Sequence, residues 1–339
     1  MPAEGSARRR RRPADSDGRV EHAPDRSGGE ARGPAHHARG DDGCAPRAPG
    51  PGPRGDDRRV TSSSPAELAV LAEGLEFEYP APRRILALKG VALRVPKGEF
   101  AAIVGQNGSG KTSLARCISG YLRPTRGTLR VADTEVWRLR PAQRATRVGY
   151  VFQNPDHQLF RERVWDDVAF GLQNLGASPD QIQESVEQVL RRLELWDKRE
   201  LHPFQLSRGD RQRLAIAAII VMRPQILIVD EPTTGQDMAR SREIMDLLAR
   251  LNHDQGMTIL TITHVMELVA EYARWVIVMH DGRVLLDGPP RQVFSRVEEL
   301  RISAISPPPV ARLGLILGLD PLPITVPEAR DAILRRLSV

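Results

Sequence analysis

The most informative stretch of this chain is Gly105-Gln106-Asn107-Gly108-Ser109-Gly110-Lys111-Thr112. It follows an apolar run, residues 100–104, and precedes Ser113-Leu114-Ala115-Arg116, so we expect a strand, a glycine loop and a helix in that order. The pattern G-x-x-x-x-G-K-[ST] is typical of a loop whose backbone N–H groups surround a phosphate. Lys111 is expected to reach the terminal phosphates, and the Thr112 hydroxyl to bind Mg²⁺. The loop predicts a nucleoside triphosphate site but leaves the class of P-loop protein open.

The composition indicates a globular chain. Of 339 residues, 40% are hydrophobic, which is enough for a core. The longest apolar run, residues 214–222, is far shorter than the roughly 18 residues that span a bilayer. Cys44 and Cys117 provide neither a disulfide framework nor metal-ligand spacing, and a reducing cytoplasm is expected. Because 49 basic residues nearly balance 43 acidic ones, no nucleic acid partner is expected.

Residues 1–64 are rich in Arg, Pro and Gly and nearly free of aliphatic side chains. Such a segment cannot bury enough apolar surface to fold, so we predict a disordered extension. The basic run Arg8–Arg12 is compatible with contact to nucleic acid or anionic lipid, but a solvated tail or a misassigned start codon is favoured. No apolar segment follows the arginines, so a signal peptide is not expected.

The chain beyond residue 66 alternates between strand and helix patterns. Residues 75–79, 86–95 and 99–104 are predicted strands, and the first ends at Tyr79, 26 residues before the glycine loop. Residues 128–132 and 148–152 are predicted strands after the loop, and Gln153 follows the second of them. A glutamine at that point can reach a Mg²⁺ ion or an attacking water while remaining neutral.

A helical region follows Gln153. Residues 164–175 and 178–195 are predicted helices, and the second begins with a capping box that pairs Ser178 with Gln181. Leu206-Ser207-Arg208-Gly209-Asp210 opens a further helix, where free backbone N–H groups lie beside a serine and a glycine and can bind an anion.

Two carboxylates end the buried strand predicted for residues 226–232. Asp230 is placed to hold Mg²⁺ through water, and Glu231 to polarise the attacking water. His264 follows another apolar strand, residues 257–262, and is placed to bind a γ-phosphate. Residues 274–279 and 283–287 are the last predicted strands.

The order of these motifs resembles the nucleotide-binding domain of an ABC ATPase over about residues 68–290. The resemblance implies an α/β fold with a RecA-like mixed sheet, an antiparallel β subdomain and a helical signature subdomain at about residues 154–222. It implies catalytic roles for Glu231, His264, Lys111 and Gln153. It implies nucleotide contacts from Tyr79, Gly105, Asn107, Gly108, Ser109, Gly110, Lys111, Thr112, Ser113, Ser207, Gly209 and Asp237, and magnesium contacts from Thr112, Gln153 and Asp230. Tyr79 would stack on adenine, although an ordinary strand-end tyrosine is equally compatible with the sequence.

Two longer stretches, residues 152–160 and 231–237, resemble the ATPase subunits of energy-coupling factor importers, which take up vitamins, cobalt or nickel. The resemblance implies a peripheral position on the cytoplasmic face of the membrane, with membrane-embedded scaffold and substrate-binding subunits as partners. Asp156 is expected to meet an arginine of such a subunit; a cap of its own loop is the alternative. The ATP-binding domain is expected over residues 68–295.

Two stretches within the C-terminal residues 296–339, Ile305–Val310 and Thr325–Glu328, resemble the extension through which these ATPases pair, as a homo- or heterodimer. Within it, Thr325 and Glu328 are expected to form a capping box that opens a short final helix. One departure concerns the usual signature L-S-G-G-Q, which here carries Arg208 for the first glycine and Asp210 for the glutamine. Ser207 and Gly209 remain, so the substitutions are compatible with turnover. They nevertheless indicate a less efficient composite site, which favours an asymmetric pair with a second ATPase.

Two other functions stay open at this stage. One is the ATPase of a conventional ABC importer for another solute, which would differ in its permease partners. The other is a soluble ABC protein that acts on nucleic acid or ribosomes. The second is disfavoured because such proteins usually carry two cassettes or long coiled coils, and this sequence contains one cassette and no sustained heptads.

Overall fold

The computed structural model describes residues 68–82 and 84–338. The predicted disordered extension, with the basic run Arg8–Arg12 and Cys44, lies outside the described residues. Its strands are β1 (Leu68–Tyr79), β2 (Ile85–Pro96), β3 (Phe100–Gly105), β4 (Arg126–Val131), β5 (Val148–Val151), β6 (Ile226–Asp230), β7 (Thr258–Ile262), β8 (Trp275–His280) and β9 (Arg283–Gly288).

The helices of the described residues are α1 (Lys111–Ile118), α2 (Pro141–Ala145), α3 (Val164–Asn174), α4 (Pro179–Arg192), α5 (Arg208–Ile220), α6 (Met238–Gln255), α7 (Met266–Tyr272), α8 (Pro290–Ser295), α9 (Val297–Ile302), α10 (Pro309–Ile316) and α11 (Val326–Leu337). The predicted strands and helices all form, and their ends lie within a few residues of the prediction except at the start of β1. None of these helices is both long enough and apolar enough to cross a membrane.

The central sheet has the strand order β5-β6-β7-β3-β8-β9. All its neighbouring pairs are parallel except β8 and β9, which are antiparallel. The strands β3, β5, β6 and β7 are buried almost throughout, as expected of parallel strands covered by helices on both faces. Because parallel strands end at the same edge, the residues that follow β3, β5, β6 and β7 are brought together there.

The core lies on both faces of this sheet, and β3 shows how the strand is divided between them. Phe100, Ala102 and Val104 pack into one cluster with α3, α5 and α6, whereas Ala101 and Ile103 pack into a second cluster with β1, β2 and α1. Adjacent side chains of a strand point to opposite faces, so one apolar run serves both layers.

A second, antiparallel sheet has the order β2-β1-β4. The strand β1 begins at Leu68, whereas the sequence predicted a start at Leu75. The first part of the strand was missed because its pairing with β2 shifts register between Ala72 and Leu75, which interrupts the alternating pattern. At this irregularity Gly127 of β4 packs directly on the backbone of Gly74, where a Cβ atom would lie 2.2 Å from the Gly74 oxygen. Only glycine permits this approach.

The helices α3, α4 and α5 lie between β5 and β6 in the chain. The predicted capping box at the start of α4 is present. The Gln181 N–H donates to Ser178 Oγ over 3.3 Å, and the Ser178 N–H donates to Gln181 Oε1 over 3.0 Å.

The prediction of a capping box at the start of α11 is wrong. Thr325 makes no side-chain capping bond there. Glu328 instead accepts hydrogen bonds from the Ile324 N–H over 2.8 Å and from Arg291 Nη2 over 3.1 Å. The start of α11 is therefore fixed to α8, because a tertiary ionic partner competes with the local cap.

Candidate nucleotide-binding site

The glycine loop joins β3 to α1, and its glycines are required by close backbone contacts. Gly110 has a φ of 100°, and a Cβ atom there would lie 2.7 Å from the Ala87 oxygen. Gly105 has a φ of 151°, and its Cβ atom would lie 2.4 Å from the Met279 oxygen. These positions let the loop turn into the N-terminus of α1, where free N–H groups can bind an anion.

Lys111 is buried at the first position of α1. Its ammonium group donates to the Gly105 carbonyl over 2.8 Å and to the Gln106 carbonyl over 2.9 Å. Burial lowers the pKa of Lys111, and the charges of Glu231 and Asp230 partly offset this shift. A buried cation with two carbonyl partners is suited to exchange them for phosphate oxygens.

Thr112 is half-buried and follows Lys111 in the first turn of α1. The next residue, Ser113, lies 3.1 Å from the Tyr79 hydroxyl through its Oγ. The Tyr79 ring also meets Phe77 edge-on, with ring centroids 4.8 Å apart. The structure therefore places the strand-end tyrosine beside the helix that follows the phosphate loop.

Asp230 ends β6 and is almost completely buried. Its Oδ2 accepts a hydrogen bond from the Tyr150 hydroxyl over 2.7 Å. Burial raises the pKa of Asp230, although the bond from Tyr150 acts in the opposite direction. Tyr150 belongs to β5, and its role was missed in the sequence because a tyrosine within an apolar strand has the pattern of an ordinary core residue.

Glu231 lies at the entrance of the site with a φ of 46°, which is unusual for a residue other than glycine. Its Oε2 accepts hydrogen bonds from Gln153 Nε2 over 2.8 Å and from Thr234 Oγ1 over 2.9 Å. Its Oε1 lies 3.8 Å from Nδ1 of His264, whose side chain is largely exposed. The structure thus brings together the three residues predicted from separate strand ends.

A cavity of about 620 Å³ adjoins these groups. Its lining includes residues 105–107, Glu231 and His264 together with residues 304–309 and Arg312. This volume is within the range of ligand pockets. A second cavity, of about 650 Å³, opens at the opposite edge of the sheet, where β6 and β7 begin, and contains none of the predicted site residues.

The predicted signature residues lie at the start of α5 and do not line the cavity beside Glu231. Ser207 caps the helix, accepting from the Asp210 N–H over 3.1 Å and donating to Asp210 Oδ2 over 2.8 Å. Lys198 donates to the same Oδ2 over 2.7 Å. Burial would raise the pKa of Asp210, but the bonds from Lys198 and Ser207 and the charge of Arg213 outweigh it, so that the pKa is lowered.

One further residue of the predicted site, and the arginine that departs from the usual signature, have local partners in the chain. Asp237 caps α6, accepting from the Arg240 N–H over 2.8 Å. The guanidinium group of Arg208 packs against Gly235, where a Cβ atom would lie 2.9 Å from Nη1. The arginine that departs from the usual signature therefore touches the loop that leads to Asp237.

Asp156 follows Gln153 in a short 3₁₀ turn, Pro155–His157. The cap of this turn is Asn154, whose Oδ1 accepts from the Asp156 N–H over 3.2 Å. The Asp156 carboxylate forms an ion pair with Arg211 of α5, with 2.9 Å between Oδ1 and Nε. The local-cap alternative for Asp156 is therefore wrong, and the partner observed within the chain is an arginine that the sequence did not indicate.

Comparisons with known proteins agree with this arrangement. Residues 88–234 match the family described as ABC transporter. An energy-coupling factor transporter ATP-binding protein from Caldanaerobacter subterraneus subsp. tengcongensis is 41% identical over 67% of this chain and 82% of its own length. The solved structure of cbiO1 from Clostridium perfringens, described as part of the ABC transporter complex cbiONQ, has 33% identity and a TM-score of 0.63, covering 75% of this chain and all of that one.

Some relatives are much longer. A protein from Methanosarcina acetivorans, named as an ABC transporter ATP-binding protein, is 43% identical over 72% of this chain, which spans only 40% of that protein. The similarity to the Caldanaerobacter protein covers most of both chains. The chain therefore belongs to the ATP-binding proteins of ABC transporters, and among them to the energy-coupling factor type.

Proposed function

We propose that this chain hydrolyses ATP and that hydrolysis powers the uptake of a micronutrient, a vitamin or a transition-metal ion, through an energy-coupling factor membrane complex. One observation carries the proposal: Glu231 is held by Gln153 and Thr234 at the entrance of a cavity that adjoins the phosphate loop. A carboxylate at this point can orient water for in-line attack on a γ-phosphate.

The residues of the site fit a magnesium ion. The Thr112 hydroxyl, the Asp230 carboxylate and the Gln153 amide all offer oxygen atoms, which Mg²⁺ prefers together with phosphate oxygens and water. The ion would neutralise charge on the β- and γ-phosphates. Lys111 would exchange its bonds to the Gly105 and Gln106 carbonyls for bonds to those phosphates.

The complete site requires two ATPase chains, because Ser207 and Gly209 lie away from the cavity beside Glu231 in their own chain. In the proposed closed pair, one chain supplies Lys111, Thr112, Asp230, Glu231 and His264. The other supplies Ser207 and Gly209 at the N-terminus of its α5, where N–H groups and the helix dipole stabilise the developing negative charge. Asp237 and Tyr79 would complete the nucleotide contacts.

The C-terminal extension, residues 296–339, is the proposed pairing surface. Among the described residues of this extension, the large apolar side chains that remain exposed are Ile302, Leu313, Leu315, Ile316, Leu317, Val326, Leu334 and Leu337. Ile316 is 80% exposed and Leu337 is 78% exposed. Side chains of this kind favour contact with another protein surface when they are numerous on one segment.

The segment after Gln153 is the proposed contact with the membrane subunits. Phe160 is 61% exposed and meets Phe170 edge-on, and Arg161 lies over both rings. Beside it, Asp156 would exchange Arg211 for an arginine of the membrane scaffold. The chain would then lie on the cytoplasmic face of the membrane, and ATP-driven closure would move this contact.

Co-purification from a membrane extract tests the proposal. A tagged chain should retain a small membrane scaffold and a substrate-binding membrane protein in detergent, and the latter identifies the solute. Recovery of a conventional permease pair with an extracytoplasmic binding protein would contradict the energy-coupling factor assignment. Recovery of ribosomes or nucleic acid alone would contradict transport altogether.

A further inference from the structure

Tyr150 is a buried tyrosine whose hydroxyl lies against the carboxylate at the end of β6. It is 3% exposed and donates to Asp230 Oδ2 over 2.7 Å, although 80 residues separate the two in sequence. Its ring is held by Phe152, with centroids 5.2 Å apart, and by the edge of Tyr121, with centroids 5.9 Å apart. The ring cannot turn away without disturbing this aromatic cluster.

The direction of the hydrogen bond follows from the chemistry of its two ends. An ionised carboxylate only accepts, so the Tyr150 hydroxyl donates its proton to Asp230 Oδ2. Burial raises the pKa of Asp230, and the hydrogen bond from Tyr150 and the charge of Arg116 on α1 act in the opposite direction.

We propose that Tyr150 is a positioning residue for metal binding. By holding Oδ2 it fixes the orientation of the Asp230 carboxylate and leaves Oδ1 to serve the coordination shell of the nucleotide-bound cation. The proposal rests on the proposed function, because it assumes a nucleotide that binds with a divalent cation. Carboxylates near metal ions commonly depend on such outer partners, and removal of one typically costs about 10- to 100-fold in metal affinity.

The alternative to a positioning role is a purely structural one, in which the bond to Asp230 only satisfies the buried hydroxyl of Tyr150. In that case its loss would lower the stability of the protein but would leave the affinity for a metal ion unchanged. The two explanations differ in a binding measurement that does not depend on ATP hydrolysis.

The test compares Tyr150→Phe with Tyr121→Phe and with the unaltered chain. Tyr121 is a matched control because it touches the Tyr150 ring but is 60% exposed. The affinity of each protein for a fluorescent, non-hydrolysable ATP analogue is measured in EDTA and again in a titration with Mn²⁺, with thermal unfolding as a check on folding.

We expect Tyr150→Phe to need at least about 10-fold more Mn²⁺ for tight binding of the analogue, with its affinity in EDTA unchanged. Tyr121→Phe should behave as the unaltered chain. An unchanged Mn²⁺ requirement in Tyr150→Phe, or an equal loss of affinity in EDTA, overturns the positioning role. If Mn²⁺ does not strengthen binding even in the unaltered chain, the proposed function itself fails.

Discussion

The side-chain amide of Gln153 donates a hydrogen bond to Oε2 of Glu231 over 2.8 Å. The two residues are 78 positions apart and follow β5 and β6, which are neighbours in the parallel sheet. Because Thr234 donates to the same oxygen, Oε1 is the carboxylate oxygen that faces His264. A movement of the segment after Gln153 would therefore directly displace the Glu231 carboxylate, which is proposed to act on water.

Replacing this carboxylate should stop hydrolysis and spare binding. We expect Glu231→Gln to lower the rate of phosphate release by about 10²- to 10⁴-fold, since the variant lacks a group that can orient and deprotonate water. Its affinity for a fluorescent ATP analogue should stay within a few-fold. Glu73→Gln is a control, because Glu73 is exposed on β1 and belongs to none of the proposed sites or interfaces. Normal turnover by Glu231→Gln would show that another group activates the water.

Two glycines of the phosphate loop should differ in their tolerance of alanine. Gly108 has a φ of 81°, and a Cβ atom added there would meet open space. Gly108→Ala should therefore lower the free energy of unfolding only by the strain of a left-handed backbone, about 1–2 kcal/mol. Gly110→Ala adds a Cβ atom 2.7 Å from the Ala87 oxygen. We expect a larger fall in the thermal midpoint for Gly110→Ala. Equal losses in the two variants would contradict the backbone packing described here.

The Asp210 carboxylate should stabilise the fold only when it is ionised. Its pKa is lowered from 3.8, so its contribution is fully present above pH 3.8 and is lost as the pH falls through the lower pKa of the folded state. At neutral pH we expect Asp210→Asn to lower the free energy of unfolding by about 1.5–3 kcal/mol, because it removes a charged hydrogen bond with Lys198.

Urea unfolding of both proteins between about pH 2.5 and 7 measures this effect. The range extends from about one unit below to several units above the pKa of an ordinary aspartate. The stabilities of the unaltered chain and Asp210→Asn should converge at the acid end. A difference that is independent of pH would mean that the variant acts through packing rather than charge.

Asp156 should matter for assembly and not for nucleotide binding. We expect Asp156→Asn to lower the recovery of membrane subunits by about 10-fold or more, because truncating one partner of a hydrogen-bonded charge pair at an interface is costly. Asp166→Asn is the matched control, since Asp166 is a nearby carboxylate that is paired with Arg163. Equal recovery with the two variants would remove Asp156 from the proposed interface.

The exposed apolar surface of the C-terminal extension should hold the second ATPase, whether that is a copy of this chain or a different one. We expect Ile316→Asp to reduce the recovery of the second ATPase, because a buried charge would replace an apolar contact. Ile85→Asp serves as the control, since Ile85 is exposed on β2. Chemical crosslinking and mass measurement in detergent would read out the pair. Undiminished pairing of Ile316→Asp would place the contact elsewhere.

Much of the site could be predicted because its residues are tied to local signals. Gly105, Lys111 and Thr112 belong to one continuous motif, and Asp230 and Glu231 end a run of apolar residues. The interactions between these groups could not be predicted in the same way. Thr234 was missed as a partner of Glu231 because nothing in its neighbours marks where its hydroxyl points.

The order of the strands and helices, the glycine loop and the positions of the carboxylates can be predicted from the sequence, since each depends on hydrophobic periodicity and short-range backbone geometry. Tertiary packing is needed to show that Tyr150 holds Asp230, that Asp156 pairs with Arg211 and that Glu328 binds Arg291 instead of capping with Thr325. These partners are brought together by the packing of separate elements, and charged or buried polar groups bind the strongest partner that packing offers, whatever their distance along the chain.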